Sequence, residues 1–198
     1  MPLDLWLGLA GFVVVGAITP GPNNTLLMAS SLNFGLLRTA PFLAGIQGGF
    51  ALMFFLVSLG LGQLFDVLPL LKSVIKYAGA AFLVWFAWKI ATSPIATSSA
   101  QARSLSFFEG AAFQFLNPKA WIICLASVSV YLPTDASLVV IAVAIATWIV
   151  FGVPCNFAWM LGGRALSALT ERPKTARLIN LSLAGMLLLS IIPVVADT

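Results

Sequence analysis

Apolar residues run along this chain in long unbroken blocks, not in the two-residue alternation of a strand. Six blocks stand out: Leu5–Leu32, Thr39–Gly62, Leu70–Thr92, Ser106–Tyr131, Ser137–Gly163 and Thr175–Val195. A spanning helix needs about 20 mostly apolar residues, so each block predicts one transmembrane helix. The first, fourth and fifth exceed that length, which predicts tilt or breaks. Two of them carry proline near their middle. The first holds Thr19-Pro20-Gly21-Pro22-Asn23-Asn24, and the fourth holds Asn117-Pro118-Lys119. Proline lacks an N–H and clashes with the carbonyl four residues earlier, and the residue before it is driven out of the helical region. Unwound backbone at membrane depth survives only where it is buried in protein or lines a cavity. Paired breaks in two halves of a chain point to a transporter's binding site.

The connections are short. The longest polar one, within residues 93–105, separates two groups of three helices inside a single transmembrane domain spanning 1–198, with half-repeats 1–92 and 106–198. With three helices per half, the second half enters the membrane from the opposite side. Pro20 and Pro118 then fall at similar depths. The expected fold is an all-α integral membrane protein, six helices arranged as a 3+3 inverted repeat, with helices one and four broken by proline.

Composition narrows the class. The 198 residues are 61% hydrophobic and 8% charged, against about 45–50% and about 25% in soluble domains. The net charge of +4 is scattered through loops without a basic stripe, which argues against a nucleic-acid partner and for a topology signal. With the N-terminus outside, cytoplasmic loops hold Arg38, Lys89, Arg103, Arg164, Arg172, Lys174 and Arg177, and outer loops hold Lys72 and Lys76. That imbalance predicts both termini outside. The first span is too long for a signal peptide and lacks a basic leader, so it is expected to stay. Histidine is absent, and Cys124 and Cys155 lie inside apolar spans without metal-ligand spacing. No metal, cofactor or enzymatic centre is expected.

The chemistry is expected at the breaks. Asn is a strong N-cap residue and proline suits the first helical position. Asn23, Asn24 and Asn117-Pro118 therefore predict new half-helices, whose free N–H groups and positive dipole ends suit a carboxylate. Thr19 either caps the half-helix after Pro20 or touches substrate. Lys119, near mid-span, costs about 2.5–3.5 kcal/mol to insert, so an anion, water or loss of its proton must compensate. It is the leading candidate for both substrate contact and proton exchange, in a hydrated central cavity. Gln47, within Gly45-Ile46-Gln47-Gly48-Gly49, and Gln114, a turn before the second break, bond either substrate or neighbouring backbone. Glu109 is a helix-start acid or a proton relay. Asn156, after Pro154, lines the cavity or serves as packing glue. The Gly45/Gly49 spacing signals close packing within the chain more readily than a dimer seam, and a homodimer stays open. Trp6, Trp85, Trp88 and Trp159 read as interface or lipid-facing anchors.

The first-helix motif through Asn24, together with Asn117-Pro118-Lys119-Ala120-Trp121, resembles the lysine exporter (LysE/RhtB) family of bacterial amino-acid efflux proteins. The likeness extends over the length of the chain and its glycine-rich second helix. The stretch Gly79–Pro94, with Asn23-Asn24, is most similar to the branch that exports cysteine and O-acetylserine. The resemblance implies efflux of small amino acids across the inner membrane by proton antiport. It places the substrate motif on Pro20, Gly21, Pro22, Asn23, Asn117, Pro118 and Lys119. Some members carry an acid where Asn23 stands, so that proton carrier is missing here.

Other classes fit less well. A transmembrane thiol–disulfide carrier needs a reactive cysteine in each half, and the first half has none. A metal-ion exporter lacks histidine and mid-span carboxylates. A scaffold would need neither two breaks nor a mid-span lysine.

Overall fold

A computed structural model describes residues 1–63, 67–92, 104–170 and 173–192. Every regular element among them is helical: α1 (Leu3–Ile18), α2 (Pro22–Phe34), α3 (Leu36–Ser58), α4 (Pro69–Thr92), α5 (Phe107–Leu116), α6 (Pro118–Tyr131), α7 (Leu138–Ser167) and α8 (Pro173–Leu189), with a 3₁₀ turn at Leu61–Gln63. Most of the linker expected between the halves, with Arg103 and Arg172, lies outside the described residues.

Three helices are long and apolar enough to cross a membrane unaided: Leu36–Ser58, Ser73–Thr92 and Leu138–Ser167. The first and fourth predicted spans are each a bent pair. α1 and α2 meet at 53°, and α5 and α6 at 73°. Counting each pair as one span gives five. The sixth predicted segment corresponds to α8, whose 17 residues extend about 26 Å at roughly 1.5 Å per residue, short of the ~30 Å hydrocarbon core. Its predicted end, Val195, lies outside the described residues.

Local sequence explains the joints. Ser106 and Glu109 form a reciprocal capping box at the start of α5: the Glu109 Oε2 accepts from the Ser106 N–H at 2.8 Å, and the Glu109 N–H donates to Ser106 Oγ at 3.3 Å. Asn117 caps α6 and Pro118 takes its first position, as the sequence predicts. At the first break the pattern differs from expectation. Gly21 is the N-cap of α2, Pro22 its first residue, and neither Asn23 nor Asn24 caps. Between α2 and α3 the chain turns on Gly35 alone, at φ 78°, a left-handed conformation that glycine adopts without a Cβ clash.

Packing is reciprocal between the halves. α1 and α2 both lie against α7, while α5 and α6 both lie against α3, and α4 packs on α8. Glycine permits the closest approaches. A Cβ on Gly45 would stand 2.0 Å from the Phe107 carbonyl oxygen, and one on Gly163 2.2 Å from that of Met28. The Gly45/Gly49 pair thus seats α5 on α3 within the chain. Ser31 Oγ donates to Met160 O at 2.7 Å across the α2–α7 contact.

The interior divides into two apolar clusters. One gathers Leu26, Phe42, Leu83, Phe113, Met160 and Leu187. The other gathers Leu9, Val13, Phe54, Cys124, Ala144 and Trp148. α3 enters the first through Phe42–Ile46 and the second from Phe50 onward; α7 enters the second through Trp148 and the first through Met160. Gln47, Gly152 and Asn156 fall on the seam between them. Outward positions such as Trp88, Val139 and Val150 are more than half exposed, an apolar exterior that suits lipid and not water.

Candidate functional site

The seam holds a cavity of ≈ 50 Å³. At about 10–15 Å³ per water, that is room for three to five waters. Its polar lining comes from the two breaks: Gly21, Asn23 and Asn24 from the first, Asn117 and Lys119 from the second. Apolar lining comes from Ile46 and Phe50 on α3, Ile123 on α6 and Trp148 on α7. Gln47 and Asn156 complete it from the unbroken helices α3 and α7, beside Gly152.

Breaking a helix frees carbonyls that must find donors, and at the first break those of Ala17, Ile18, Thr19 and Pro20 have identifiable partners. Thr19 Oγ1 donates to Val15 O at 2.5 Å, closing the end of α1. This corrects the expectation that Thr19 caps the following half-helix: the hydroxyl turns back to α1 because Gly21 takes the cap position. Asn24, almost wholly buried, donates its amide to Ala17 O at 2.8 Å and Thr19 O at 2.9 Å. Trp159 Nε1 donates to Ile18 O at 3.2 Å. Lys119 reaches over from the second break, its Nζ donating to Thr19 O at 2.7 Å and Pro20 O at 3.2 Å. At the second break Trp121 Nε1 donates to Phe115 O at 3.0 Å and the Asn117 N–H to Gln114 O at 3.2 Å.

Lys119 is thereby compensated in a way the sequence did not foretell. It sits at the positive end of α6, but its ammonium lies against the carbonyl end of α1, the negative pole of that helix. Its stem crosses Gly21 so closely that a Cβ there would stand 2.8 Å from Lys119 Cδ. Gly21 is extended, at φ −176°, so space and not backbone strain calls for glycine.

A second network ties the breaks together. Asn23 Nδ2 donates to Gln114 Oε1 at 3.0 Å, and Gln114 Nε2 donates back to Asn23 Oδ1 at 3.1 Å. Asn117 Nδ2 donates to the same Asn23 Oδ1 at 3.1 Å, while Asn117 Oδ1 accepts the Lys119 N–H at 3.1 Å. Gln114 also donates to Gly110 O at 3.2 Å.

The structure therefore gathers Gly21, Asn23, Asn24, Gln47, Asn117, Lys119 and Asn156 around one cavity. Pro22 and Pro118 are buried at the first positions of α2 and α6. Thr19 and Pro20 present carbonyls to Lys119. Gln114 stands behind Asn23 as a fully buried brace. Glu109 lies in its capping box, outside the cavity lining. Two tryptophans read as anchors have internal roles: Trp159 serves the first break, and Trp6 Nε1 donates to Thr147 Oγ1 at 3.0 Å, joining α1 to α7. Sequence reasoning missed Trp148 and Gly152, although Trp148, Gly152 and Asn156 recur every four residues and so share one face of α7. Cys124 and Cys155 are free, and no metal-holding cluster occurs among the described residues.

Residues 14–192 match the family model described as LysE type translocator. The chain belongs to that family. It is a multi-pass membrane transporter rather than an enzyme. The translocator is 33% identical over 181 residues to the cysteine/O-acetylserine efflux protein of Escherichia coli O139:H28, covering 89% of this chain and 90% of that one. The proteins of the same name from Escherichia coli K12 and Shigella flexneri are each 33% identical over 180 residues, with the same coverage. No solved structure matches the translocator.

Proposed function

We propose that the translocator exports small amino acids or their derivatives, cysteine and O-acetylserine among them, from the cytoplasm across a bacterial inner membrane. The observation that carries this reading is the Lys119 ammonium, held between two helix breaks at a cavity large enough for water. The substrate carboxylate meets Lys119 and the N-terminal end of α2, since the first N–H groups of α6 already bond to Asn117. The freed carbonyls of the first break are occupied by Lys119, Asn24 and Trp159 in this state. A substrate ammonium reaches Thr19 O and Pro20 O by displacing the lysine, which then swings onto the carboxylate.

The reciprocal packing of α1–α2 on α7 and α5–α6 on α3 supports a 3+3 inverted repeat within one domain, rocking about the breaks. The loop charges support an outside N-terminus and C-terminus.

The test is efflux of a panel of radiolabelled amino acids from cells with and without the protein, with and without a proton gradient. Efflux of small amino acids that requires both is expected. A panel indifferent to the protein would refute export, and efflux indifferent to the gradient would refute proton coupling.

Proton exchange is assigned to Lys119 rather than Glu109. The Glu109 carboxylate accepts from the Ser106 N–H and from Ser106 Oγ at 2.7 Å, an arrangement a helix start explains without transport. Glu109→Gln keeps the side-chain shape and an acceptor oxygen. It is expected to retain gradient-driven flux within about twofold and lose roughly 0.5–1 kcal/mol of stability. Gradient-independent flux in that variant would return the proton relay to Glu109.

A further inference from the structure

The lining amides differ in what they have left to offer. Asn23 and Asn117 each spend both ends of the amide on protein partners. Asn24 spends its donor twice on α1 carbonyls. The side chains of Gln47 and Asn156 have no hydrogen bond to any described residue. Asn156 is nevertheless only 6% exposed, and that exposure is to the cavity. Buried polar groups are hydrogen-bonded with few exceptions, so an amide left open beside a cavity implies a partner that comes and goes.

Their position separates them from the charged groups. Lys119 and the helix ends come from the broken spans, whereas Gln47 and Asn156 come from the unbroken helices α3 and α7. Gly152 lies one turn before Asn156, and the Gln47 amide approaches within 3.7 Å of where a Cβ on Gly152 would stand. The missing side chain leaves the two amides a common recess. Trp148, one turn earlier, packs against Phe50 at 4.5 Å between ring centroids with the rings tilted by 48°, and forms an aromatic wall beside it.

We propose that Gln47 and Asn156, over Gly152, form the subsite that receives the substrate's side chain, and that it selects a short, uncharged side chain bearing a hydrogen-bonding atom. This rests on the export reading above. An amide offers both donor and acceptor, so it meets a hydroxyl, a thiol or an ester carbonyl equally. Among the described lining residues no carboxylate stands here to neutralise a cationic side chain, and Lys119 is already committed to the substrate's own carboxylate. The aromatic wall and the small recess exclude long side chains.

The test compares fluxes in proteoliposomes for serine, O-acetylserine, alanine, leucine and 2,3-diaminopropionate. In Gln47→Leu and Asn156→Leu the serine-to-alanine flux ratio is expected to fall about tenfold, because a site built for a polar group discriminates by what it leaves unpaired. An unchanged ratio, with both fluxes reduced together, would overturn the subsite while leaving export intact. Asn156→Asp supplies the missing charge and is expected to gain 2,3-diaminopropionate flux, a result misfolding cannot imitate. Absence of that gain, with serine flux still measurable, counts against the assignment. A wild-type protein that moves none of the five would refute export itself and this inference with it.

Discussion

Lys119→Met is expected to reduce export about ten- to hundred-fold in proteoliposomes while leaving the protein folded in the membrane. The substitution keeps the stem that crosses Gly21 and removes the ammonium. A hydrogen bond to a charged group contributes about 1.5–3 kcal/mol, and each 1.4 kcal/mol is about tenfold, which sets the size of the loss. Stability should suffer less than flux. Asn24 still serves Thr19 O, and the cavity that Lys119 lines has room for water beside the carbonyls it leaves. Gly21→Ala offers a graded version. Its Cβ would meet Lys119 Cδ at 2.8 Å and Nζ at 3.0 Å, shifting the ammonium without deleting it, and its flux should fall between wild type and Lys119→Met. Wild-type flux in purified, reconstituted Lys119→Met would remove the ammonium from the transport pathway.

The largest structural effect is expected from Gly45→Ala. The added Cβ would stand 2.0 Å from Phe107 O and 2.8 Å from its carbonyl carbon, both backbone atoms of α5 that cannot rotate away. α5 must then move off α3. Overpacking of this kind costs about 1–3 kcal/mol, and at about 2–4 °C per kcal/mol the melting temperature in detergent should drop by roughly 2–12 °C. Transport should fall as well, because α5 carries Gln114 and its pair with Asn23. Gly11→Ala is the matched control, since nothing lies within 4 Å of its added methyl. A Gly45→Ala protein that melts with wild type would mean that α3 and α5 are not held at this distance.

Much of this architecture could be read before any coordinates. Blocks of apolar residues mark spans, and proline in the middle of two of them marks the breaks, because no helix absorbs Pro20-Gly21-Pro22 without losing its ladder. Asn117 as cap of α6 follows from its place before Pro118. The first break was less legible. Two asparagines after Pro22 look like caps, yet glycine takes the cap and Asn24 faces backwards to α1. That choice depends on which carbonyls are left bare, a question about three dimensions. The tryptophans show the same limit. Sequence cannot tell Trp159, which serves Ile18 O over 141 positions of chain, from Trp88, which faces outward. Pairing of Lys119 with Thr19 and Pro20 likewise joins residues about a hundred positions apart. Gln47 and Asn156 were visible as polar residues in apolar helices; that neither end of their amides is spent emerges only once the other amides lining the cavity are accounted for.

Donors from the second half, Lys119 and Trp159, cover the exposed end of α1. Sliding one set of helices past the other would uncover Ile18 O, Thr19 O and Pro20 O, and a bare carbonyl in hydrocarbon is worth several kcal/mol of resistance. Motion at this level therefore cannot proceed dry. Something with protons to give must arrive as the lysine and the indole depart, and a guest bearing its own ammonium is suited to do so. In this state the protein supplies its own cation at the joint, where a transported ammonium would otherwise be needed.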